Sequence, residues 1–362
     1  MKAWDGLLER LAEAAEVVDG PLGARDGRER AEGHRHLLRI LSIATEMLVE
    51  KGDPERPAFT RWMSAHRKMY GDNPGTVYDA AVIDGSRTYV IRGRRGTCAY
   101  LGVCLYGTDE SGAKRIAANI DDDEMAVRPD GTFELWLRPG GGDLPLDPDV
   151  TEVMVRQYVV DPATELPATY TIEQVPDPGP PPPLDEEVLA ARLDRLGAYV
   201  RDTVEAEVTL SALSASMATS VFRADQGPGP ELDESAWQAV LRVMPTPAIS
   251  YTGQWFDRLE DDEAIVVEGV VPACRYWSIS LLSRFMESGD WVHHPVALSG
   301  RDIGGVPGDP FRVTVAHLDP GVRPWLATTG LTSGNLACRA LKVDGEFDLT
   351  FTRIPLTDLE RP

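Results

Sequence analysis

Two stretches of equal length, TYVIRGRRGTCAYLGVCLY at 88–106 and AIVVEGVVPACRYWSISLL at 264–282, align without a gap. The alignment matches a glycine, a cysteine and a tyrosine in the same order, as Gly93 with Gly269, Cys98 with Cys274, and Tyr100 with Tyr276. Each stretch has the pattern of a β-hairpin in which one strand ends near the glycine and the next begins at the cysteine. Because side chains alternate along a strand, the cysteine and the tyrosine are expected to share one face as packing residues.

The repeat continues beyond these hairpins. PDGTFEL at 129–135 resembles PGDPFRV at 307–313, and the segment 155–173 resembles 338–351, which matches Arg156 with Arg339. Ordered matches over several strands, each following a helical segment, predict a duplicated helix-plus-sandwich unit.

Short apolar segments separated by Gly, Pro and Asp make up most of both halves. The predicted strands are RTYVIRG, AYLGVCLYG, TFELWLR, EVMVRQYVV and ATYTIEQV in the first half, and AIVVEGVV, RYWSISLL, FRVTVAH, NLACRALKV and EFDLTFTRI in the second. This pattern favours antiparallel sandwiches or jelly rolls. Strands do not alternate with helices, so a doubly wound parallel sheet is disfavoured.

Helical periodicity precedes each set of strands. Apolar residues recur at helical spacing before Gly52 and Pro54, and again over about 185–222 with Asp185 as a plausible N-cap. The predicted fold class is α+β, with two tandem antiparallel jelly-roll-like β-sandwich modules, each preceded by a helical segment. The predicted domains are a helical segment at 1–70, a first sandwich at 71–176, a Pro-rich linker at 177–184, a second helical segment at 185–245 and a second sandwich at 246–362.

The charge and composition exclude several classes of partner. The chain of 362 residues has a formal net charge of −22, which disfavours nucleic acids and anionic membrane surfaces. No apolar run approaches the ~20 residues of a membrane span, and acidic residues throughout the N-terminus argue against a secretory signal. Four cysteines without a CxxC pair are expected to be buried thiols in the cytoplasm.

Long segments of both halves resemble an actinobacterial family known as domain of unknown function twelve-fourteen. The resemblance covers roughly 70–362 and is carried by the segments 72–107, 130–137, 153–173, 261–291 and 313–341. It implies a β-sandwich architecture and no established chemistry. The chain departs from the family pattern at PGGGDLPLDPD, 139–149, and at WVHHPVALSGRDIGGVPGD, 291–309, so substrate choice is expected to differ if those loops shape a pocket.

The candidate catalytic residues are histidines, because imidazole titrates near neutral pH. His293 and His294 are adjacent and point to opposite faces if extended, so they do not chelate one metal, and a loop pair before Pro295 is the alternative. His317 ends a strand and either bonds a turn or faces a pocket.

The candidate substrate-binding residues are arginines, aromatics and one asparagine. Arg156 and Arg339 occupy matched positions within predicted strands, whereas Asn73 and Tyr78 lie in DNPGTVY at 72–78, between helix and sheet, where a role in the turn alone is the alternative. An inward-facing arginine needs a partner, either a structural carboxylate or an anionic group of a ligand, and the aromatics either fill the core or line a cleft. The candidates are Asn73, Tyr78, Arg156, Trp255, Tyr276, Arg284, Trp291 and Arg339.

Metal and cofactor motifs are weak. The acidic run IDDDEMAV at 120–127 lacks the layout of a calcium loop and is better explained as a solvated turn. The expected cofactors are none, and the expected metal ligands are none.

Three functions remain open at this point. The first is an enzyme that uses acid–base chemistry on a small apolar or amphipathic metabolite, without metal or cofactor, in a cleft between helices and sandwich. The second is a non-catalytic binding or carrier protein, and the third is a structural or assembly protein. The expected partner is a small-molecule ligand or substrate, with a homo-oligomer as a further possibility. Nucleic acid and membrane are not expected.

Overall fold

The computed structural model describes residues 2–110, 112–217, 219–224, 226–227, 232–345 and 347–359. The chain forms two compact units. The first comprises Met1–Arg67 and Thr76–Ala206, and the second comprises Lys68–Gly75 and Glu207–Pro362. Residues 68–75 thus belong to the second unit, although they lie in sequence between two parts of the first.

Among the residues described, the first unit combines helices with ten strands. In chain order its elements are α1 (Lys2–Asp19), α2 (Gly27–Ala44), a π-helical turn (Thr45–Glu50), β1 (Thr60–Arg61), β2 (Thr76–Val82), β3 (Tyr89–Arg94), β4 (Tyr100–Thr108), β5 (Lys114–Asp121), β6 (Thr132–Pro139), β7 (Gly141–Gly142), β8 (Leu144–Leu146), β9 (Val150–Tyr158) and β10 (Thr169–Gln174). The next helix, α3 (Glu186–Ser216), begins in the first unit and ends in the second.

The second unit continues from α3. Its further elements are β11 (Ser220–Arg223), α4 (Glu234–Arg242), β12 (Ile249–Phe256), β13 (Glu263–Val270), β14 (Tyr276–Leu282), β15 (Ala297–Ser299), α5 (Gly300–Ile303), β16 (Pro310–Ala316), β17 (Trp325–Ala327), β18 (Gly334–Leu341), β19 (Leu349–Pro355) and a 3-10 turn (Leu356–Asp358).

Each unit has one five-stranded and one four-stranded sheet. The orders are β1-β2-β9-β4-β5 and β10-β3-β6-β8 in the first unit, and β11-β12-β18-β14-β15 and β19-β13-β16-β17 in the second. In the five-stranded sheets, β2, β9 and β4 of the first unit occupy the same positions as β12, β18 and β14 of the second, so the strand order is the same. The two four-stranded sheets also share one strand order.

An apolar core lies between the two sheets of each unit. In the first unit, Leu101, Val103 and Leu105 of β4 meet residues of β3 and β6 from the other sheet. In the second, Ile279 and Leu281 of β14 have the same role against β13 and β16. Because side chains alternate along a strand, every second residue of β4 and β14 points away from the core. We call this side of each five-stranded sheet its outer face.

All ten strands predicted from the sequence are strands in the structure. The predicted hairpins are wrong, because β3 and β4 lie in different sheets of the first unit, and β13 and β14 lie in different sheets of the second. One refinement concerns direction: the short pairs β6–β8 and β16–β17 are parallel, so the two four-stranded sheets are mixed.

The expected shared face of the hairpin cysteine and tyrosine is wrong. Cys98 packs in the core, whereas Tyr100 alternates with the core residue Leu101 and lies on the outer face. Strand β4 begins only at Tyr100, so the alternation does not extend back through the turn to Cys98. All four cysteines of the chain are free thiols.

The helical predictions hold in part. The π-helical turn ends at Glu50, in agreement with the helix stop predicted at Gly52. Asp185 caps α3 by accepting a 2.8 Å hydrogen bond from the Val188 amide. Residues 51–70 are not helical, and β11 replaces the helix predicted over 220–222, while residue 218 lies outside the described residues. In the described part of the chain, no helix is both long and apolar enough to cross a bilayer.

Candidate functional site

The outer faces of the two five-stranded sheets carry an arginine at equivalent positions. In the first unit Arg156 of β9 lies between Tyr78 of β2 and Gly102 of β4. In the second, Arg339 of β18 lies between Tyr251 and Ser278. Two residues before Gly102 on β4 and before Ser278 on β14, a tyrosine lies on the same outer face, Tyr100 in the first unit and Tyr276 in the second.

In the first unit, tyrosines surround the arginine; we call Tyr78, Tyr100, Cys104, Tyr106 and Arg156 the Arg156 face. The Arg156 side chain is only 3% exposed and donates a 2.8 Å hydrogen bond to the Tyr106 hydroxyl. Its guanidinium carbon lies 5.6 Å from the Tyr106 ring centre and 6.0 Å from that of Tyr78. Such contacts between a cation and aromatic faces are favourable, especially away from water.

Gly102 allows Tyr100 to join this group. A Cβ at Gly102 would lie 2.5 Å from the Tyr100 hydroxyl oxygen, so the ring lies directly over the glycine that pairs with Arg156. The Tyr100 ring also makes an edge-to-face contact with Tyr158, at 5.6 Å between ring centres.

Burial keeps the ionisable groups of the Arg156 face protonated. Desolvation raises the pKa of the Cys104 thiol, although the nearby Arg156 opposes this shift. Desolvation likewise raises the pKa values of the Tyr106 and Tyr100 phenols. At neutral pH this face therefore presents a cation together with neutral hydroxyl and thiol groups.

In the second unit, residues 68–75 form a strap over the equivalent face. Arg339 donates one hydrogen bond to Ser280 Oγ at 2.7 Å and another to the Gly71 carbonyl oxygen of the strap. The Asn73 amide lies 3.1 Å from the Tyr276 hydroxyl and 3.4 Å from Ser278 Oγ. The structure thus brings together three predicted binding residues, Asn73, Tyr276 and Arg339.

The strap is fixed by hydrogen bonds along its length. The Tyr70 amide donates to Glu207 at 2.6 Å, and the Gly71 amide donates to the Met286 carbonyl at 2.7 Å. Tyr70 has φ of 56° and Gly71 has φ of 68°, a left-handed pair that a tyrosine adopts only when its surroundings enforce it.

Asp72 is the buried carboxylate of the strap. It accepts hydrogen bonds from the Ser288 amide at 2.8 Å and the Ser288 hydroxyl at 2.5 Å. Desolvation raises its pKa above the ordinary value, while the positive charge of Lys68 and the Ser288 bonds act in the opposite direction. Lys68 itself donates to the carbonyl oxygens of Ser288 at 3.0 Å and of Gly289.

Three more predicted binding residues lie in the second unit in cation–aromatic pairs. The Arg284 guanidinium is 5.2 Å from the Trp255 ring centre, and Lys68 Nζ is 5.9 Å from that of Trp291. Trp255 pairs with Asn335 of β18, on the same face as Arg339.

The three predicted catalytic histidines are not brought together with these arginines by any described contact. His293 is exposed and contacts Asp290 at 2.9 Å, and His294 is exposed in the same loop. His317 has both ring nitrogens engaged, Nδ1 with Thr328 Oγ1 and Nε2 with the Leu259 carbonyl at 2.7 Å, as expected for a histidine that holds a turn.

The acidic turn after β5 is less solvated than predicted. The carboxylates of Asp121, Asp122 and Asp123 lie within 4.8 Å of one another, and Asp121 is buried. Arg95 forms an ion pair with Asp122, and the Asp123 amide donates to Asp121, so these groups serve the turn itself. An acidic cluster of this kind is not by itself a metal site.

Sequence reasoning missed Cys104 and Tyr106 of the first unit, and Lys68, Asp72 and Ser288 of the second. A usable signal existed for β4, where Tyr100, Cys104 and Tyr106 alternate with Leu101, Val103 and Leu105. A strand with apolar residues on one face and buried polar groups on the other predicts a specific role for the second face.

Comparison with known proteins shows a shared fold and no assigned function. An uncharacterized protein from Burkholderia cenocepacia matches 99% of this chain and 98% of its own, with 28% identity and a TM-score of 0.87. The VPA0106 protein from Vibrio parahaemolyticus matches 95% of this chain and 100% of its own, with 12% identity and a TM-score of 0.47. No family model matches the chain, and no curated protein does.

Proposed function

We propose that the chain binds a small amphipathic metabolite in its first unit and that Arg156 holds an anionic oxygen group of that molecule. One observation carries the proposal: a guanidinium that is 3% exposed lies against the rings of Tyr78 and Tyr106 on a buried sheet face. Aromatic walls with a few fixed polar groups are the usual composition of a small-molecule site.

The chemistry of arginine supports an oxygen-bearing ligand. The planar guanidinium presents parallel N–H donors that match a carboxylate or a similar group, and Tyr106 fixes its orientation through the 2.8 Å hydrogen bond. The phenol rings of Tyr78 and Tyr106 offer apolar surface for the rest of the molecule.

Binding is favoured over acid–base catalysis at this face. The raised pKa values of Cys104 and Tyr106 keep both groups protonated, so neither is activated as a nucleophile or base near pH 7. The exposed His293 and the turn-bonded His317 contribute no described contact to the face.

Ligand binding is tested by native mass spectrometry and calorimetry with octanoate and phenylacetate, each compared with its neutral amide. We expect the carboxylates to bind and Arg156→Gln to weaken binding at least tenfold, because hydrogen bonds to a charged group are worth about 1.5–3 kcal/mol. Tyr106→Phe, a milder change, should weaken binding in the same direction.

The matched control is Arg92→Gln, which removes the same charge from the same unit at an exposed site paired with Glu134 and Glu173. Equal binding by Arg156→Gln and Arg92→Gln would contradict the proposal, as would a wild-type chain that binds none of the four probes.

An acid–base enzyme is the second candidate, and Asp72 is the observation that favours it. A buried carboxyl with raised pKa, hydrogen-bonded to a serine hydroxyl, is a pattern often found where protons are transferred. Incubation with metabolite extracts and product analysis would support it only if turnover is present in the wild type and absent in Asp72→Asn.

We further propose that the two units are jelly-roll-like products of an internal duplication within a cytoplasmic protein. The repeated strand order and the equivalent registers of Arg156 and Arg339 support the duplication. The four free thiols support the location. Membership of the twelve-fourteen family and a homo-oligomeric state remain predictions.

A further inference from the structure

The segment between β10 and α3 presents consecutive prolines on the surface of the first unit. Residues 180–184 have the sequence PPPPL, and we call them the proline run. Every residue from 180 to 188 is exposed. The carbonyl oxygens of Pro181, Pro182 and Pro183 accept no hydrogen bond among the described contacts, and proline has no N–H group to donate. The rings and carbonyl groups of the run are therefore accessible to a partner.

The covalent structure of proline restricts the backbone of this run. The ring holds φ near about −65°, and a proline directs the residue before it into the extended or polyproline II region. Pro180, Pro181 and Pro182 each precede another proline, so both backbone angles of all three residues are restricted. Polyproline II rises about 3.1 Å per residue, so the four prolines form a strip about 12 Å long.

Both ends of the run are anchored to the first unit. Arg56 donates hydrogen bonds to the Gly179 carbonyl oxygen at 2.9 Å and to the Pro180 carbonyl oxygen at 3.1 Å. At the other end, Asp185 caps α3 through the 2.8 Å bond from the Val188 amide. A partner that binds the run therefore avoids most of the entropic cost of ordering a flexible loop.

The residues around the prolines indicate the chemistry of the partner. Polyproline II segments bind to recognition domains in grooves lined by aromatic side chains. Leu184 is 62% exposed and extends the apolar strip, which a segment that only spans the distance from β10 to α3 does not require. Exposed carboxylates flank the strip at Asp177, Asp185, Glu186 and Glu187. A groove with basic residues at its rim complements this charge.

We propose that the proline run is a docking site for a separate protein domain that has an aromatic polyproline groove with a basic rim. The proposal is independent of the Arg156 face, because none of the residues that carry it belongs to that face.

The experiment titrates an isotope-labelled WW domain, chosen for an aromatic groove with a basic rim, with the unlabelled full chain. We expect the NMR signals of the groove aromatics to shift, and Pro181→Ala/Pro182→Ala to weaken binding at least about tenfold. The matched control is Pro129→Ala/Pro148→Ala, which replaces two exposed prolines in turns of the same unit and should bind as the wild type does. Replacing the basic rim residues of the WW domain by glutamate should abolish binding.

Several results would overturn the proposal. These are a wild-type chain that leaves the WW signals unchanged, equal weakening by the two double variants, and equal binding by the glutamate-rim domain. Self-association that sedimentation detects in the wild type and not in Pro181→Ala/Pro182→Ala, without WW binding, would assign the run to a second copy of the chain instead. A lower Tm for Pro181→Ala/Pro182→Ala than for the control variant would show that the run serves folding, whereas equal Tm values support a docking role.

Discussion

Replacing Arg339 by glutamine should destabilise the second unit substantially. The guanidinium is 5% exposed and donates to Ser280 at 2.7 Å and to the Gly71 carbonyl. Removing one partner of a buried charged contact costs about 3–5 kcal/mol, because the remaining groups stay buried without their donor. Glutamine keeps one NH₂ group as a donor, so we expect a loss near the lower limit, about 3 kcal/mol.

That loss can be expressed as a change in Tm. The second unit has about 160 residues, a size for which 1 kcal/mol shifts Tm by roughly 2–4 °C. Arg339→Gln should therefore lower the Tm by about 6–12 °C. Tryptophan fluorescence is a suitable probe, because five of the eight tryptophans belong to the second unit, namely Trp237, Trp255, Trp277, Trp291 and Trp325.

The matched control is Arg353→Gln, in the same unit. Arg353 is exposed and donates to the carbonyl oxygens of Asp257 and Arg258, so its loss should change stability by less than about 0.5 kcal/mol. Equal Tm values for Arg339→Gln and Arg353→Gln would refute the idea that the strap and the sheet are held together by the buried arginine.

The remaining predictions concern the strap itself. The pKa of Asp72 is raised in the folded chain and is ordinary, 3.8, when unfolded, so its contribution to stability is fully present below pH 3.8 and is lost as the pH rises through the folded value. Urea unfolding should therefore show Asp72→Asn gaining stability relative to the wild type between pH 4 and pH 8, and a difference that falls with pH would contradict this sign. A Cβ at Gly75 would lie 2.5 Å from the Tyr276 hydroxyl oxygen, so Gly75→Ala should cost about 1–3 kcal/mol, measured by the same unfolding assay. Adding Tyr276→Phe removes the clashing oxygen and should recover part of the loss, whereas a purely additive double variant would show that the clash is not the cause.

Sequence patterns predicted the strands whose apolar residues alternate over one face. They did not single out β2, β5 and β12, because each of these strands departs from the apolar alternation. In β2 the interruption is Asp79, whose carboxylate pairs with Arg61 and accepts a hydrogen bond from Tyr170. In β12 it is Gly253. A polar residue that is satisfied by a partner distant in sequence is indistinguishable from a loop residue when only neighbours are considered.

The candidate site was only partly accessible to the same reasoning. Internal alignment matched Arg156 with Arg339, and the sheet registers place the two residues at equivalent positions of their sheets. It did not indicate that Gly71 lies against Arg339, because 268 residues separate them and neither has a local motif. The histidines drew attention by their titration range, yet the contacts of His317 are those of a turn.

Both units bury an arginine at the same position of their five-stranded sheet. A buried arginine needs oxygen acceptors, and each unit supplies them differently: Tyr106 in the first, the Gly71 carbonyl in the second. A backbone carbonyl fixed by Glu207 and Met286 cannot leave without exposing several buried polar groups, so that face contributes to folding. Tyr106 is 1% exposed and accepts its hydrogen bond from Arg156, so the described part of the first face likewise keeps its arginine bonded inside the fold.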